Sequence, residues 1–185
     1  MSGKLTLISS ATASGSSSVE FTSGIDSTYD EYVFYFVDVN PATDAVQFMF
    51  QTSTDGGSSY GVTTTSTYFQ AYHEETGGSS ALTYLTAQDL AQSTSYQHLN
   101  NTLGNAADEC AVGELHLFNP SSTTYVKHYF ATMNGYDGSS GGSNYTQNNY
   151  IGGYFNTTTA LNAIDFKMSS GNLDAVIKQY GLVAT

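Results

Sequence analysis

Four histidines, His73, His98, His116 and His128, are the side chains best suited to moving a proton or holding a metal near neutral pH. His116 and His128 fall on two alternating segments, Gly113–Phe118 and Thr123–Met133, that read as an antiparallel pair. A register setting the two rings opposite one another would make half a metal site, with Glu114 or another carboxylate completing it. With no third ligand close in sequence, they read instead as two rings at a strand surface, each donating one proton. Nucleophilic catalysis needs Ser or Cys, a His and an acid brought together. With 24 serines and four histidines such a trio can always be drawn, and no G-x-S-x-G elbow is present. Cys110 follows Asp108-Glu109, and adjacent carboxylates raise a thiol pKa, so it reads as a structural thiol. Asp26, Asp30 and Glu31, and Asp108-Glu109, offer the oxygens that calcium takes, but lack the twelve-residue EF-hand spacing and equally describe solvated acids. No catalytic residue, metal ligand or cofactor site is assigned, and the expectation is a protein that is not an enzyme.

The tyrosines carry more information. Tyr145, Tyr150 and Tyr154-Phe155 lie among Asn144, Asn148 and Asn149, with Tyr136 upstream. Tyr/Asn-rich surfaces stack on sugar rings or line protein interfaces. The competing arrangement turns half of these rings into the core. Ser53-Thr-Asp55-Gly-Gly57-Ser-Ser59-Tyr60 fits the Asp-box hairpin of sialidase-like propellers. There the Asp and hydroxyls bond backbone amides, a glycine takes the left-handed conformation and the aromatic packs beneath. Propellers repeat that hairpin blade after blade. Here it occurs once, which makes it a structural turn.

The elements that must position these residues follow from composition. The chain has 185 residues, one domain's worth (1–185), with four lysines, no arginine and sixteen carboxylates, for a formal charge of −12. Phosphate recognition comes from clustered Lys and Arg, and Lys4, Lys127, Lys167 and Lys178 are scattered; nucleic acid and anionic membranes are therefore not expected partners. No run is long and apolar enough for a membrane-spanning helix, and Met1-Ser-Gly-Lys carries no apolar stretch of a secretory signal. A single cysteine excludes a disulfide framework within one chain. Forty-eight Ser and Thr, 18 Gly, 15 Tyr and 10 Phe favour pleated surfaces and turns over helices.

Strand patterns occur at Lys4–Ala11, Val19–Phe21, Glu31–Val39, Ala45–Thr52, Thr63–His73, Gly113–Phe118, Thr123–Met133, Tyr145–Asn156, Ala163–Met168 and Asp174–Val183. Ser14–Ser18 reads as a turn, and Leu82–Leu99 holds either a short helix or another strand. The continuous apolar run Glu31–Val39 predicts a central strand covered on both faces. Phe34 or Tyr35, Phe36, Phe48, Phe50, Ile164, Phe166, Val176 and Ile177 are the expected core. The predicted fold is all-β: a jelly-roll-like β-sandwich of about nine or ten antiparallel strands.

Two regions, Ser53–Tyr60 and Asn162–Leu182, resemble virion proteins of marine and cyanobacterial tailed phages. That family carries an early Ser/Asp/Gly-Gly/aromatic turn and an ending that Gly171-Asn172 and Tyr180-Gly181 match, whereas Ala175 stands where many relatives carry Gly. The resemblance implies a jelly-roll-like sandwich on the virion surface, on capsid, collar or tail. The expected function is a capsid decoration (cement) protein stabilising the shell. The alternative is a tail- or fibre-associated receptor- or glycan-binding module. Expected partners are the major capsid protein or other virion subunits, and further copies of the chain, a trimer being favoured, with loops around Gly135–Ser143 reaching a partner. Tyr136, Tyr145, Tyr150 and Tyr154 are the candidate interface or glycan contacts.

Overall fold

Where aromatic and β-branched residues alternate with small polar ones the chain is extended, and Gly, Asn and Asp divide it into strands. The computed structural model describes residues 4–137 and 144–182, and no helix forms among them. In chain order the strands are β1 (Leu5–Ser16), β2 (Val19–Phe21), β3 (Glu31–Pro41), β4 (Phe48–Ser53), β5 (Thr64–Glu74) and β6 (Ser80–Tyr84). They continue as β7 (Gln97–His98), β8 (Ala111–Phe118), β9 (Lys127–Asp137), β10 (Tyr145–Phe155), β11 (Ala163–Met168) and β12 (Leu173–Leu182). Eight form one sheet, ordered β1-β12-β3-β8-β9-β10-β5-β6, and four form a second, β2-β11-β4-β7.

The pairing is nested and antiparallel. β1 pairs with β12, β2 with β11, β3 with β8 and β4 with β7, so the chain makes one long ribbon. Rolling that ribbon sets β12 beside β3 and β11 beside β4, which is jelly-roll connectivity. Two insertions, β5-β6 and β9-β10, pair through β5 and β10 and widen one sheet well past the other. The predicted sandwich is therefore present, with twelve strands. The additional ones, β6 and β7, are five and two residues long and lie in the stretch where the pattern was least regular. β1 runs through the expected turn to Ser16, with register shifts on the way and Gly15 at φ 58°. β4 starts later than its pattern, because Ala45 sits at φ 56° and Val46 makes an isolated bridge to Leu103.

The core lies between the sheets and is built on Phe166, whose ring centroid is 5.1 Å from Phe36, 5.4 Å from Phe34 and 5.9 Å from Phe48. Phe34, Phe36, Phe48, Phe50, Ile164, Phe166 and Ile177 are all buried there. Tyr35 and Val176 are half-exposed on the opposite face, since neighbouring positions of a strand cannot both point inward.

Candidate functional site

His116 and His128, whose meeting would have made half a metal site, lie apart, each at a strand surface. Register sets His116 opposite Phe130 and His128 opposite Tyr154, so they occupy different rows of the outer face of the large sheet. His116 is held by carboxylates: Nδ1 lies 2.5 Å from Glu31 Oε1 and Nε2 lies 3.6 Å from Glu114 Oε1, while the ring stacks on Phe130 at 4.5 Å. Among the described residues, no group of three or more His, Cys, Asp or Glu is placed to hold a metal. Asp26 closes its own loop, accepting from the Thr28 amide at 2.8 Å and the Tyr32 hydroxyl at 3.0 Å, and the Thr28 contacts hold its carboxyl below the usual range. Cys110 is half-buried, and its thiol pKa is raised by burial and by Asp38, a neighbour across the fold that sequence adjacency did not reveal.

The Ser53–Tyr60 segment is a hydrogen-bonded turn. The Ser53 hydroxyl donates to Asp55 Oδ1 at 2.6 Å and accepts from the amides of Asp55 and Gly57, both at 3.1 Å. Asp55 also accepts from the Ser59 amide and hydroxyl. These bonds, Ser53 first, hold its pKa at about 2. Gly56 and Gly57 have φ of 74° and 90°. A side chain at Gly57 would start 2.7 Å from Thr22 Cγ2 and 2.9 Å from the Tyr60 hydroxyl, so the glycine lets the turn close over Tyr60. Beside it lies a cleft of about 590 Å³, lined by neutral groups such as Thr54, Ser59, Thr94 and Asn156.

The outer face of the eight-stranded sheet is aromatic and open. Register aligns Ser10, Lys178, Tyr35, Glu114, Thr132, Tyr150, Phe69 and Tyr84 in one row across all eight strands. Phe69 stacks on Tyr150 at 5.0 Å and Tyr35 meets Tyr180 edge-on at 5.4 Å. Among the described residues, the exposed large apolar side chains are Leu5, Leu7, Phe69, Leu82, Tyr84, Val112, Tyr125 and Phe130, and all but Tyr125 lie on this face. Near Tyr35, Val112 and Tyr180 the face dips into a depression of about 490 Å³. Its strand positions hold few charges: Glu31 and Glu114 are turned to His116, Asp174 accepts from the Gly15 amide, and Lys178 lines the depression.

The four candidate tyrosines do not form one patch. Tyr136, Tyr150 and Tyr154 are on the outer face, whereas Tyr145 is on the inner one, five residues and so an odd number of steps from Tyr150. Residues 138–143, most of the loop expected to reach a partner, lie outside the described residues.

Tyr145 instead belongs to a polar end of the inner face that the sequence reading missed. Inner positions of β5 and β10 change from apolar to amide as the strands leave the core: Tyr68 and Ile151, then Gln70 and Asn149, then Tyr72 and Gln147. Gln70 Nε2 donates to Gln147 Oε1 at 2.7 Å and Asn149 Oδ1 at 3.0 Å. The Tyr68 hydroxyl also donates to Asn149 Oδ1, at 2.8 Å, and Gln147 Nε2 donates to Asp137 Oδ2 at 2.7 Å. Gln70, Tyr72, Asp137, Tyr145 and Gln147 line a pocket of about 180 Å³.

A second missed cluster lies on the far side of the small sheet. Asp165, opposite Glu20 on one side and Gln51 on the other, is 3% exposed beneath the 94–96 segment, whose Thr94 and Ser95 carbonyls accept from Gln51. The Tyr96 hydroxyl donates to Asp165 Oδ2 at 2.7 Å, and the Lys167 ammonium lies 3.9 Å above the Tyr96 ring. Among the described residues, Asp165 Oδ1 and the buried Tyr60 hydroxyl have no hydrogen-bond partner. Burial, and to a lesser extent Glu20, raise the Asp165 pKa; burial with Glu20 and Asp165 pushes Tyr60 up to about 12. Alternation places Asp165 on a strand surface, and only the long-range cover of Tyr60 and Tyr96 makes that surface an interior.

Compared with models of known protein families, with curated proteins and with solved structures, the chain matches none.

Proposed function

We propose that this chain is a non-enzymatic structural protein of a tailed-phage virion, attached to the particle surface as a capsid decoration protein that stabilises the shell. The observation that carries the proposal is the outer face of the eight-stranded sheet: broad, aromatic, sparsely charged, and uncovered in a chain of formal charge −12. Contiguous exposed apolar surface on an otherwise polar protein marks an interaction site. The likeness of Ser53–Tyr60 and Asn162–Leu182 to tailed-phage virion proteins supplies the particle. In this proposal the face seats on shell subunits, with the protein as a homo-oligomer, a trimer favoured, and the acidic remainder directed outward.

The test replaces Phe69, Leu82 and Phe130 together by Ser and measures co-sedimentation with purified capsids alongside light scattering of the free protein. All three side chains are exposed, so the melting temperature should change little. Capsid binding should fall at least tenfold. Binding of the unaltered chain should weaken little between low and high salt, because burial and neutral hydrogen bonds carry it. A monomer that leaves capsids unbound would defeat the proposal, and a steep loss of binding with salt would assign the contact to charge instead.

A further inference from the structure

We infer that the pocket formed by Gln70, Tyr72, Asp137, Tyr145 and Gln147 is a binding site for one ring of a neutral saccharide. The inference is independent of docking through the outer face, because these side chains point from β5, β9 and β10 to the opposite side of the sheet.

Three observations carry it. The first is that polar groups are buried where the fold does not require them. Gln70 and Gln147 are 4% and 5% exposed, although the inner positions next along the same strands, Tyr68 and Ile151, belong to the apolar core. Buried amides are costly unless paired, and here the pairing runs as a chain from Tyr68 through Asn149, Gln70 and Gln147 to Asp137. Such a chain fixes the direction of each polar edge before any ligand arrives. Gln70 spends both amide hydrogens on that chain and Gln147 spends one, which leaves the Gln70 carbonyl and a Gln147 N–H to serve a ligand. Donor and acceptor side by side suit adjacent hydroxyls, each of which both gives and takes a proton.

The second observation is the aromatic wall. Tyr72 and Tyr145 are half-exposed and meet edge-to-face at 5.6 Å, giving one ring face and one ring edge to pack against the C–H surface of a pyranose. The third is charge and size. Among the described residues no cation lines the pocket and Asp137 does, which disfavours phosphates, sulfates and acidic sugars. About 180 Å³ is room for roughly six waters at their liquid volume, the scale of a single sugar ring.

The experiment is saturation-transfer NMR on the full chain with a panel of methyl pyranosides: glucose, galactose, mannose and N-acetylglucosamine. It is joined to observation of the Gln side-chain amide resonances in a ¹⁵N-labelled sample. At least one glycoside should show transfer at millimolar concentration and move the Gln70 and Gln147 amide signals. Tyr145→Ala should weaken that binding at least tenfold, and Tyr125→Ala, at an exposed tyrosine elsewhere, should leave it unchanged. Because the Gln signals are read in the unaltered chain, the result does not depend on a variant folding. Absence of transfer for every glycoside, or transfer that leaves the Gln amides unmoved and survives Tyr145→Ala, would overturn the inference. Capsid co-sedimentation is unaffected by either outcome.

Discussion

At the scale of single residues, the side chains that looked chemically active are mostly occupied in holding the chain. His116 is clasped by two carboxylates and Asp55 by its own turn. Gly57 should therefore resist substitution more than its neighbour. Both glycines have positive φ, which costs an L-residue roughly 1–2 kcal/mol, but a side chain at Gly56 meets open space whereas one at Gly57 collides with Thr22 and Tyr60. Chemical denaturation should show Gly57→Ala losing clearly more stability than Gly56→Ala; equal losses would mean that the turn does not close on Tyr60. Asp165 gives a second expectation. Its pKa is raised, so the folded state binds its proton more tightly than the unfolded state does. The stability from that proton is present below the unfolded value near 3.8 and is lost as pH rises through the higher folded value. Asp165→Asn keeps an acceptor for Tyr96 and removes the buried charge. It should raise the urea midpoint at pH 7 and flatten the decline in stability above pH 4.

At the scale of elements, Phe166 is the test of the sandwich, since its ring contacts partners from both sheets. Phe166→Ala should cost about 3–5 kcal/mol, whereas Phe69→Ala, on the outer face, should cost far less and act on docking. Comparable losses in the two variants would place the core on the wrong side of the sheet. The strands around Phe166 were legible because period-two alternation is a local signal: Phe48 and Phe50, or Ile164 and Phe166, show their shared face in the sequence alone. The parts that were not legible depend on register. His116 falls opposite Phe130 instead of His128, and the two-residue β7 is recruited by the distant β4, Met49 lying opposite His98. The split of Tyr145 from Tyr150 was available in their odd spacing. The amide chain beside Tyr145 was not, because Gln70, Asp137 and Gln147 meet only when β5 and β9 flank β10.

For the whole molecule, fifteen tyrosines in a weakly charged chain make alkaline pH the vulnerable side. Burial raises Tyr68 and, in the main, pushes Tyr129 up to about 12, and both are essentially solvent-free. Above pH 10 the unfolded chain gives up those protons while the folded chain keeps them, so stability falls with rising pH by about 1.4 kcal/mol per pH unit for each such tyrosine. Lys127 acts in the opposite sense, because burial lowers its pKa and favours the fold as pH approaches 10.5. Denaturant midpoints measured from pH 8 to 12 should therefore stay nearly level to about pH 10 and then drop steeply. Phenolate absorbance should show a group of tyrosines titrating only with unfolding. A gradual decline with every tyrosine titrating near 10 would contradict the burial of these two.

The nested pairing also sets a timetable. β12 is hydrogen-bonded between β1 and β3, and β11 between β2 and β4, so each sheet is joined by a strand made long after the partners it links. At about 5–20 residues per second, the stretch between Ser16 and Leu173 takes on the order of 8–30 s to emerge. Through that interval β1 waits without its partner, with Ile8, Ala11 and Ala13, which pack on the finished core, still in solvent. Pairings so remote in sequence fold slowly in any case. A nascent chain stalled before residue 163 can pair β3-β8-β9-β10-β5-β6 but leaves β1 and β2 without partners, so the emergence of β11 and β12 is the event that closes both layers.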